Sequence, residues 1–189
     1  MNPVRWGVLS TARINDLVLP AFKALECAEL IGVASRDKEQ ADAYARARGI
    51  PRAYGSYEAL LRDSEIEAVY IPLPNSLHYE WTLRAFENGK AVLCEKPLAM
   101  TATEGEELFD RAARSGCLLM EAFMYRHHPQ TETILELVRD GGIGSLQTIR
   151  ASLCGTANRE RDIQYDRELG GGALRDLGVV VVPVVGVLH

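Results

Sequence analysis

An acid, a base and a proline stand together directly after a short apolar run: Glu95, Lys96 and Pro97 follow residues 91–94. The apolar run is typical of a buried parallel strand. Proline has no amide hydrogen for a sheet and fixes its own φ angle, so the strand must end at this point. The sequence therefore predicts that Glu95 and Lys96 lie at the carboxyl end of a strand, where open α/β sheets bind their ligands. The alternative is an ordinary solvated Glu-Lys pair on the surface.

The chain before and after this motif alternates between apolar strand patterns and helical patterns. Helices are expected over about residues 14–25, with a kink or a restart at Pro20, and over 39–48, 56–61, 76–88 and 101–115. Strands are expected at residues 4–9, 29–35, 52–54, 68–71, 91–94 and 118–120. This alternation predicts an α/β fold, a Rossmann-type doubly wound parallel sheet.

The texture of the sequence changes after Phe123. We expect a helix over residues 129–139 with Ile134, Leu135 and Val138 facing inward, a half-exposed strand at 145–153, and a polar loop at 155–168. The β-branched run from residue 179 to 187 favours strand or irregular structure over helix. The predicted domains are therefore 1–122 and 123–189, and the second is thin for a core of its own.

Composition excludes several classes of protein. The 189 residues carry a formal net charge of −5 without basic runs, which argues against nucleic acid or an anionic membrane as partner. The four cysteines are widely spaced, and three of them have apolar neighbours typical of a core, so we expect reduced thiols. The adjacent His127 and His128 are poorly spaced to chelate one metal, and no metal site is predicted. Without a signal-peptide pattern or a membrane-spanning segment, a cytoplasmic location is expected.

The first turn of such a sheet is the place for a dinucleotide-binding G-x-G-x-x-G pattern, and the three positions read Ser10, Ala12 and Asn15. Small Ser and Ala still let backbone N–H groups approach a pyrophosphate at the start of a helix, and Arg13 would add charge. The alternative is a plain tight turn.

The end of the second strand discriminates between cofactors. An acid there would accept from the ribose 2′-OH of NAD, whereas an arginine suits the 2′-phosphate of NADP. Ser35 and Arg36 favour NADP, and Asp37 lies one residue too far along. The alternative is a surface arginine without a ligand.

Asn75 and His78 follow the fourth strand, beside the place expected for a nicotinamide. His78 could instead be an ordinary histidine at a helix start.

Several motifs of the chain together match one family. They include a first strand and turn, a P-N-x-x-H loop, the E-K-P motif and a glycine triplet, and they read Trp6-Gly7-Val8-Leu9-Ser10-Thr11-Ala12-Arg13-Ile14, Pro74-Asn75-Ser76-Leu77-His78, Cys94-Glu95-Lys96-Pro97-Leu98-Ala99, Glu121-Ala122-Phe123-Met124-Tyr125-Arg126, His128-Pro129-Gln130 and Gly170-Gly171-Gly172-Ala173-Leu174 with Asp176 and Gly178. The chain resembles the Gfo/Idh/MocA oxidoreductases, and within them the NADP-dependent aldose and dihydrodiol dehydrogenases.

This resemblance implies hydride transfer between NADP, with NAD as the other option, and a carbon of a sugar or cyclic diol. Lys96 would hydrogen-bond the reacting hydroxyl and stabilise a developing alkoxide. Glu95 would orient the nicotinamide side, and Asp176 would face the substrate. The cofactor would be lined by Ser10, Thr11, Ala12, Arg13, Ile14, Ser35, Arg36, Pro72, Leu73, Asn75, His78, Glu95, Lys96 and Arg126.

The sequence departs from the family pattern at two places. The family's general acid–base is a His or Tyr four residues after the acid at position 176, and this chain has Val180, which cannot transfer a proton. The large antiparallel sheet that walls the family's substrate site and usually mediates dimerisation is missing, so residues 123–189 are expected to be a partial substrate and dimerisation domain. Three hypotheses stay open: an oxidoreductase acting on a small sugar or diol, as a monomer or a homo-oligomer; a non-catalytic dinucleotide-binding sensor or partner-binding protein; and an incomplete chain that associates with itself through uncovered apolar surface.

Overall fold

A computed structural model describes residues 2–154 and 163–180 of the chain. The chain divides into two compact units, Met1–Glu121 and Ala122–His189.

The first unit is built on a six-stranded sheet in the order β3-β2-β1-β4-β5-β6. All of the strand pairs are parallel. The strands are β1 (Val4–Leu9), β2 (Ala28–Ala34), β3 (Arg52–Tyr54), β4 (Ala68–Ile71), β5 (Ala91–Cys94) and β6 (Leu119–Glu121). The order reverses between β1 and β4, which makes this pair the switch point of a doubly wound sheet. The predicted Rossmann-type fold is confirmed.

Five helices connect these strands: α1 (Asn15–Ala24), α2 (Lys38–Arg48), α3 (Tyr57–Leu61), α4 (His78–Glu87) and α5 (Ala102–Ser115). Their boundaries follow local signals in the sequence. Thr101 and Glu104 form the expected capping box at the start of α5, and Gly49 ends α2 in the left-handed conformation that glycine favours, with φ 68°.

The two faces of the sheet carry separate apolar cores, because successive residues of a strand point to opposite sides. Val8 and Val33 pack with Leu19 on the face covered by α1 and α2. Leu9 and Ile71 belong to the other core, which α3, α4 and α5 complete. The central strands are buried on both faces, as their unbroken apolar sequences predict.

Helix α1 continues through Pro20 without a restart, and the kink expected there as the other option stays a prediction. Its buried residues are Asn15 and Leu19, whereas Leu17 is 74% exposed. The inner face of α1 therefore includes a polar residue at its start.

The second unit has less regular structure. Helix α6 (Pro129–Arg139) forms as predicted, with Leu135 and Val138 half-buried, but Ile134 is 40% exposed. The strand expected at residues 145–153 does not form: this segment is irregular and pairs with no strand among residues 2–154 and 163–180. Leu174–Gly178 is a π-helical turn, and Val179 and Val180 continue it as helix instead of strand. The rest of the β-branched run lies outside the described residues.

The four cysteines differ in their exposure. Cys94 is buried and Cys117 half-buried, whereas Cys27 and Cys154 are exposed, so the expectation of three core cysteines is wrong. Within residues 2–154 and 163–180, every helix is too short or too polar to cross a membrane.

Candidate active site

Four residues of interest occupy equivalent places at the carboxyl edge of the sheet. Ser10, Ser35, Pro72 and Glu95 directly follow the last residues of β1, β2, β4 and β5. These strands are neighbours, with Leu9 paired to Ala34 and Ile71 paired to Cys94. The fold therefore brings the predicted cofactor residues of the first unit to one edge.

The turn after β1 is built around Ser10. Its φ angle is 148°, a value that favours glycine, at the first position of the degenerate fingerprint. The Ser10 hydroxyl donates to the carbonyl oxygen of Pro72 at 3.1 Å and accepts from the amide of Ala12 at 3.2 Å. The fully buried Asn15 donates from Nδ2 to the Ser10 carbonyl at 2.9 Å. These bonds fix the turn against the loop after β4.

The other predicted residues of this turn surround its opening. Thr11, Ala12 and Ile14 are half-buried and Arg13 is exposed. Small side chains at positions 10 and 12 leave the backbone accessible at the start of α1, as a pyrophosphate group requires. The turn therefore fits a dinucleotide, although its glycines are replaced.

After β2, the side chain of Arg36 is exposed, whereas the carboxylate of Asp37 is bound by the next helix. Arg36 is exposed, and its charge acts on the nearby Tyr57 phenol, whose pKa is raised by burial and lowered by Arg36. Asp37 caps α2 by accepting from the amides of Glu39 at 2.8 Å and Gln40 at 3.2 Å. Ser35 is buried and donates to Gln40 Oε1 at 2.7 Å. Arg36 is thus placed to meet a ligand, whereas the Asp37 carboxylate is used by the helix.

The loop after β4 is largely packed into the protein. Pro72 and Leu73 are buried, and Leu73 belongs to the core, whereas Asn75 is half-exposed and begins a 3-10 turn, Asn75–Leu77. His78 is fully buried, with Nδ1 2.7 Å from the Pro97 carbonyl oxygen and Nε2 2.8 Å from the Leu73 carbonyl oxygen. The ring of His78 is therefore enclosed by protein and lines no open surface, in contrast to the expectation from the sequence.

Glu95 and Lys96 stand at the end of β5 as expected, and both side chains are half-buried. Glu95 Oε1 accepts from the Tyr70 hydroxyl at 2.6 Å, and Oε2 lies 3.4 Å from the Lys96 amide nitrogen. The Lys96-Pro97 peptide is cis. The side chain of Tyr70, in β4, thus holds the Glu95 carboxylate in place.

Two supporting residues were missed by sequence reasoning. Tyr70 is a polar aromatic residue inside an otherwise aliphatic strand, and that signal could have identified it. Glu121 accepts from the Leu98 amide at 2.9 Å and so fixes the segment after the E-K-P motif. Its position at the end of β6, beside β5, was the available signal.

The remaining predicted residues lie in the second unit. Arg126 is exposed in the 3-10 turn Met124–His127, and His128 caps α6 by accepting from the Gln130 amide at 3.1 Å. Asp176 is half-buried within the π-helical turn.

Comparisons with known proteins agree with this architecture. The chain is 45% identical over 179 residues to the D-xylose 1-dehydrogenase (NADP(+)) 2 of Haloferax volcanii, covering 94% of this chain and 54% of that protein. It is 39% identical over 183 residues to the trans-1,2-dihydrobenzene-1,2-diol dehydrogenase of Xenopus laevis, covering 96% and 55%.

A solved structure is also similar. KijD10, a 3-ketoreductase from Actinomadura kijaniata in complex with NADP and TDP-benzene, matches with a TM-score of 0.92 and 38% identity, over 99% of this chain and 57% of that one. The chain thus spans about half the length of the relatives it matches. The family described as "Oxidoreductase family, NAD-binding Rossmann fold" matches residues 4–123, and the chain belongs to this Gfo/Idh/MocA family.

Proposed function

We propose that the chain is an NADP-dependent oxidoreductase that transfers a hydride between NADP and a CH–OH carbon of a sugar or cyclic diol. The observation that carries the proposal is the position of Lys96. It is half-buried directly after β5, at the sheet edge where the turn after β1 and the loop after β4 meet. The dehydrogenase names of the two relatives support the reaction class.

Lys96 would act on the substrate hydroxyl. An ammonium group donates hydrogen bonds and stabilises negative charge that develops on an alcohol oxygen as its proton leaves. When bound, NADP supplies the hydride acceptor at this edge. Oxidation would then move one hydride from the carbon to NADP+, and the hydroxyl proton would pass to water or to the Lys96 side chain in its neutral amine form. Glu95, fixed by Tyr70, would orient the nicotinamide side.

The preference for NADP over NAD rests on the end of β2. Arg36 is exposed and would pair with a 2′-phosphate, whereas Asp37 is bound to the α2 amides and is a poor acceptor for a ribose 2′-OH. The turn at Ser10, Thr11, Ala12, Arg13 and Ile14 would hold the pyrophosphate. Ser35, Pro72, Leu73 and Asn75 would complete the cofactor site.

The second unit would contribute the substrate side. We propose that residues 123–189 form part of a substrate and dimerisation domain, with Asp176 facing the substrate and Arg126 the cofactor. Val180 offers no proton-transfer group, so the hydroxyl proton would have to leave through Lys96 as a neutral amine or through water. The second candidate is a non-catalytic dinucleotide-binding sensor or partner-binding protein, which rests on this valine alone, whereas the names of the relatives support the enzyme.

One experiment separates these two functions. Calorimetric titration with NADP and NAD measures cofactor binding, and absorbance at the NADPH band measures turnover with a panel of aldoses and cyclic diols. NADP binding with turnover that Lys96→Ala abolishes supports the enzyme. Tight NADP binding without turnover supports the sensor. Activity that survives Lys96→Ala would contradict the proposed role of Lys96.

The proposal also includes a cellular location and an oligomeric state. We propose a cytoplasmic location, because the cysteines are free thiols and reducing compartments keep thiols in that form. We also propose a homo-oligomer, which a size measurement in solution tests: a clean monomer would contradict it.

A further inference from the structure

His78 joins the two loops that carry the candidate site. Its Nε2 lies 2.8 Å from the carbonyl oxygen of Leu73, in the loop after β4, and its Nδ1 lies 2.7 Å from that of Pro97, in the loop after β5. These contacts span 5 and 19 residues of sequence, respectively. The ring is fully buried at the first position of α4. A rigid imidazole between two carbonyl groups sets the distance between the loops.

The contacts lie next to the residues that matter for chemistry. Pro97 directly follows Lys96, and Leu73 directly follows Pro72, whose carbonyl accepts the Ser10 hydroxyl. A chain of polar contacts therefore runs from the turn after β1, through the loop after β4 and the His78 ring, to the segment that holds Lys96. Displacing the ring would move Lys96 relative to the cofactor turn.

We propose that His78 is a positioning residue that fixes Lys96 by holding the loops after β4 and β5 at a set distance. The proposal rests on the proposed function, because the value of a fixed Lys96 depends on a cofactor at that edge. His78 itself contacts only protein groups.

The number of protons on the ring decides how many of the contacts are hydrogen bonds. A carbonyl oxygen can only accept, so both contacts are hydrogen bonds when Nδ1 and Nε2 each carry a proton, and one is lost when the ring is neutral. Burial lowers the pKa of His78, and the charge of Lys96 lowers it further. The carbonyl groups of Pro97 and Leu73 and the charge of Glu95 act in the opposite direction. The link between the loops should therefore tighten as pH falls through the titration of this ring.

Two substitutions each retain one of the contacts. His78→Asn places an amide N–H near the position of Nδ1 and can keep the Pro97 contact, whereas His78→Gln places one near Nε2 and can keep the Leu73 contact. His78→Leu removes both. Thr82→Val is the matched control, since Thr82 is fully buried one turn further along α4 and valine preserves its shape.

The first measurement is amide hydrogen exchange on the 189-residue chain without cofactor. We expect faster exchange at Glu95 and Leu98 in His78→Leu. Of His78→Asn and His78→Gln, the one that loses the contact donated by the neutral ring should also exchange faster, and Thr82→Val should leave both amides unchanged. The Glu95 amide bonds to the Ile71 carbonyl and the Leu98 amide to Glu121, so both report on this loop. Unchanged exchange in a folded His78→Leu chain would overturn the proposal, whether or not the chain binds NADP.

The second measurement is the NADP dissociation constant between pH 5 and 8. We expect His78→Leu to bind about five- to tenfold more weakly than wild type, the effect of one or two lost hydrogen bonds. The ratio of the His78→Gln and wild-type constants should grow as pH falls, and ionisation of the cofactor cancels in this ratio. A ratio that does not change with pH would overturn the two-contact link. If wild type and Thr82→Val fail to bind NADP, the proposed function fails, and the exchange measurement alone decides the role of His78.

Discussion

The Tyr70 hydroxyl donates a 2.6 Å hydrogen bond to Oε1 of Glu95 and so joins the buried interior of β4 to the residue that follows β5. Burial, followed by the Glu95 charge, raises the pKa of Tyr70, and the phenol therefore remains a donor throughout the physiological range. The Glu95 carboxylate is held in place from inside the sheet, which leaves its orientation independent of solvent-exposed partners.

Tyr70→Phe should remove this support without changing the apolar packing of the ring. We expect a loss of about 1.5 to 3 kcal/mol in the free energy of unfolding, as is typical of a hydrogen bond to a charged group, together with weaker NADP binding. Urea denaturation and calorimetry measure the two effects. Glu95→Gln is the control, because it keeps an acceptor oxygen but removes the charge. Wild-type stability and NADP affinity in Tyr70→Phe would show that the bond has no such role.

Arg36→Ala should discriminate between the two cofactors. The exposed guanidinium would pair with the 2′-phosphate that only NADP carries, so NADP binding should weaken by about 1.5 to 3 kcal/mol more than NAD binding. Calorimetric titration of each cofactor provides the comparison. Arg13→Ala is the control, since the pyrophosphate expected near Arg13 is common to both cofactors and both should weaken alike. Equal losses in Arg36→Ala would refute the assignment.

Ser10 offers a test of backbone strain against hydrogen bonding. Ser10→Ala keeps a Cβ atom at φ 148° and loses the bonds to Pro72 and Ala12, so we expect a destabilisation of about 1 to 2 kcal/mol. Ser10→Gly loses the same bonds but relieves a backbone conformation that costs other residues about 1 to 3 kcal/mol. Thermal and urea unfolding should rank glycine above alanine. The reverse order would mean that the φ angle carries no strain.

The stability of the first unit should fall at both extremes of pH because of one hydrogen-bonded pair, Tyr54 and Asp63. The hydrogen bond from Tyr54, followed by Arg52, lowers the pKa of Asp63 from 3.8, so its contribution is present above about pH 4 and is lost as pH falls through the lowered value. Burial and Asp63 raise the pKa of Tyr54 to about 12 from 10.0, so its contribution is present below pH 10 and is lost as pH rises toward 12.

The melting temperature across pH 2–12 checks this pair. Tyr54→Phe should make both declines shallower, because it removes the phenol and one cause of the Asp63 shift. Asp63→Asn should flatten the acid decline directly. Parallel curves for wild type and Tyr54→Phe would exclude the pair as the source of either decline.

Local sequence signals were sufficient to predict most elements of the first unit. The apolar runs of β1, β4 and β5, the capping box at Thr101 and the glycine after α2 each specify structure within a few residues, and alternation of the elements specifies the sheet. The position of Glu95 and Lys96 at its edge follows from the same reasoning.

Contacts between distant parts of the chain could not be predicted in this way. Ser10 and Pro72 are 62 residues apart, and Tyr70 and Glu95 are 25 apart, so only the folded sheet brings them together. His78 was expected to line the cofactor from its place after the fourth strand and from the family resemblance, whereas its burial depends on where the loop of Pro97 packs. The strand expected at 145–153 had a suitable alternation, but a strand requires a hydrogen-bonded neighbour that alternation alone cannot supply.

The helix cap at Asp37 limits how cofactor preference can be redesigned. Its carboxylate binds two amides of α2, so recruiting it to a ribose hydroxyl would leave the first turn of that helix without its acceptor. A variant that prefers NAD must therefore bring in a new carboxylate, at position 35 or 36, and leave residue 37 unchanged.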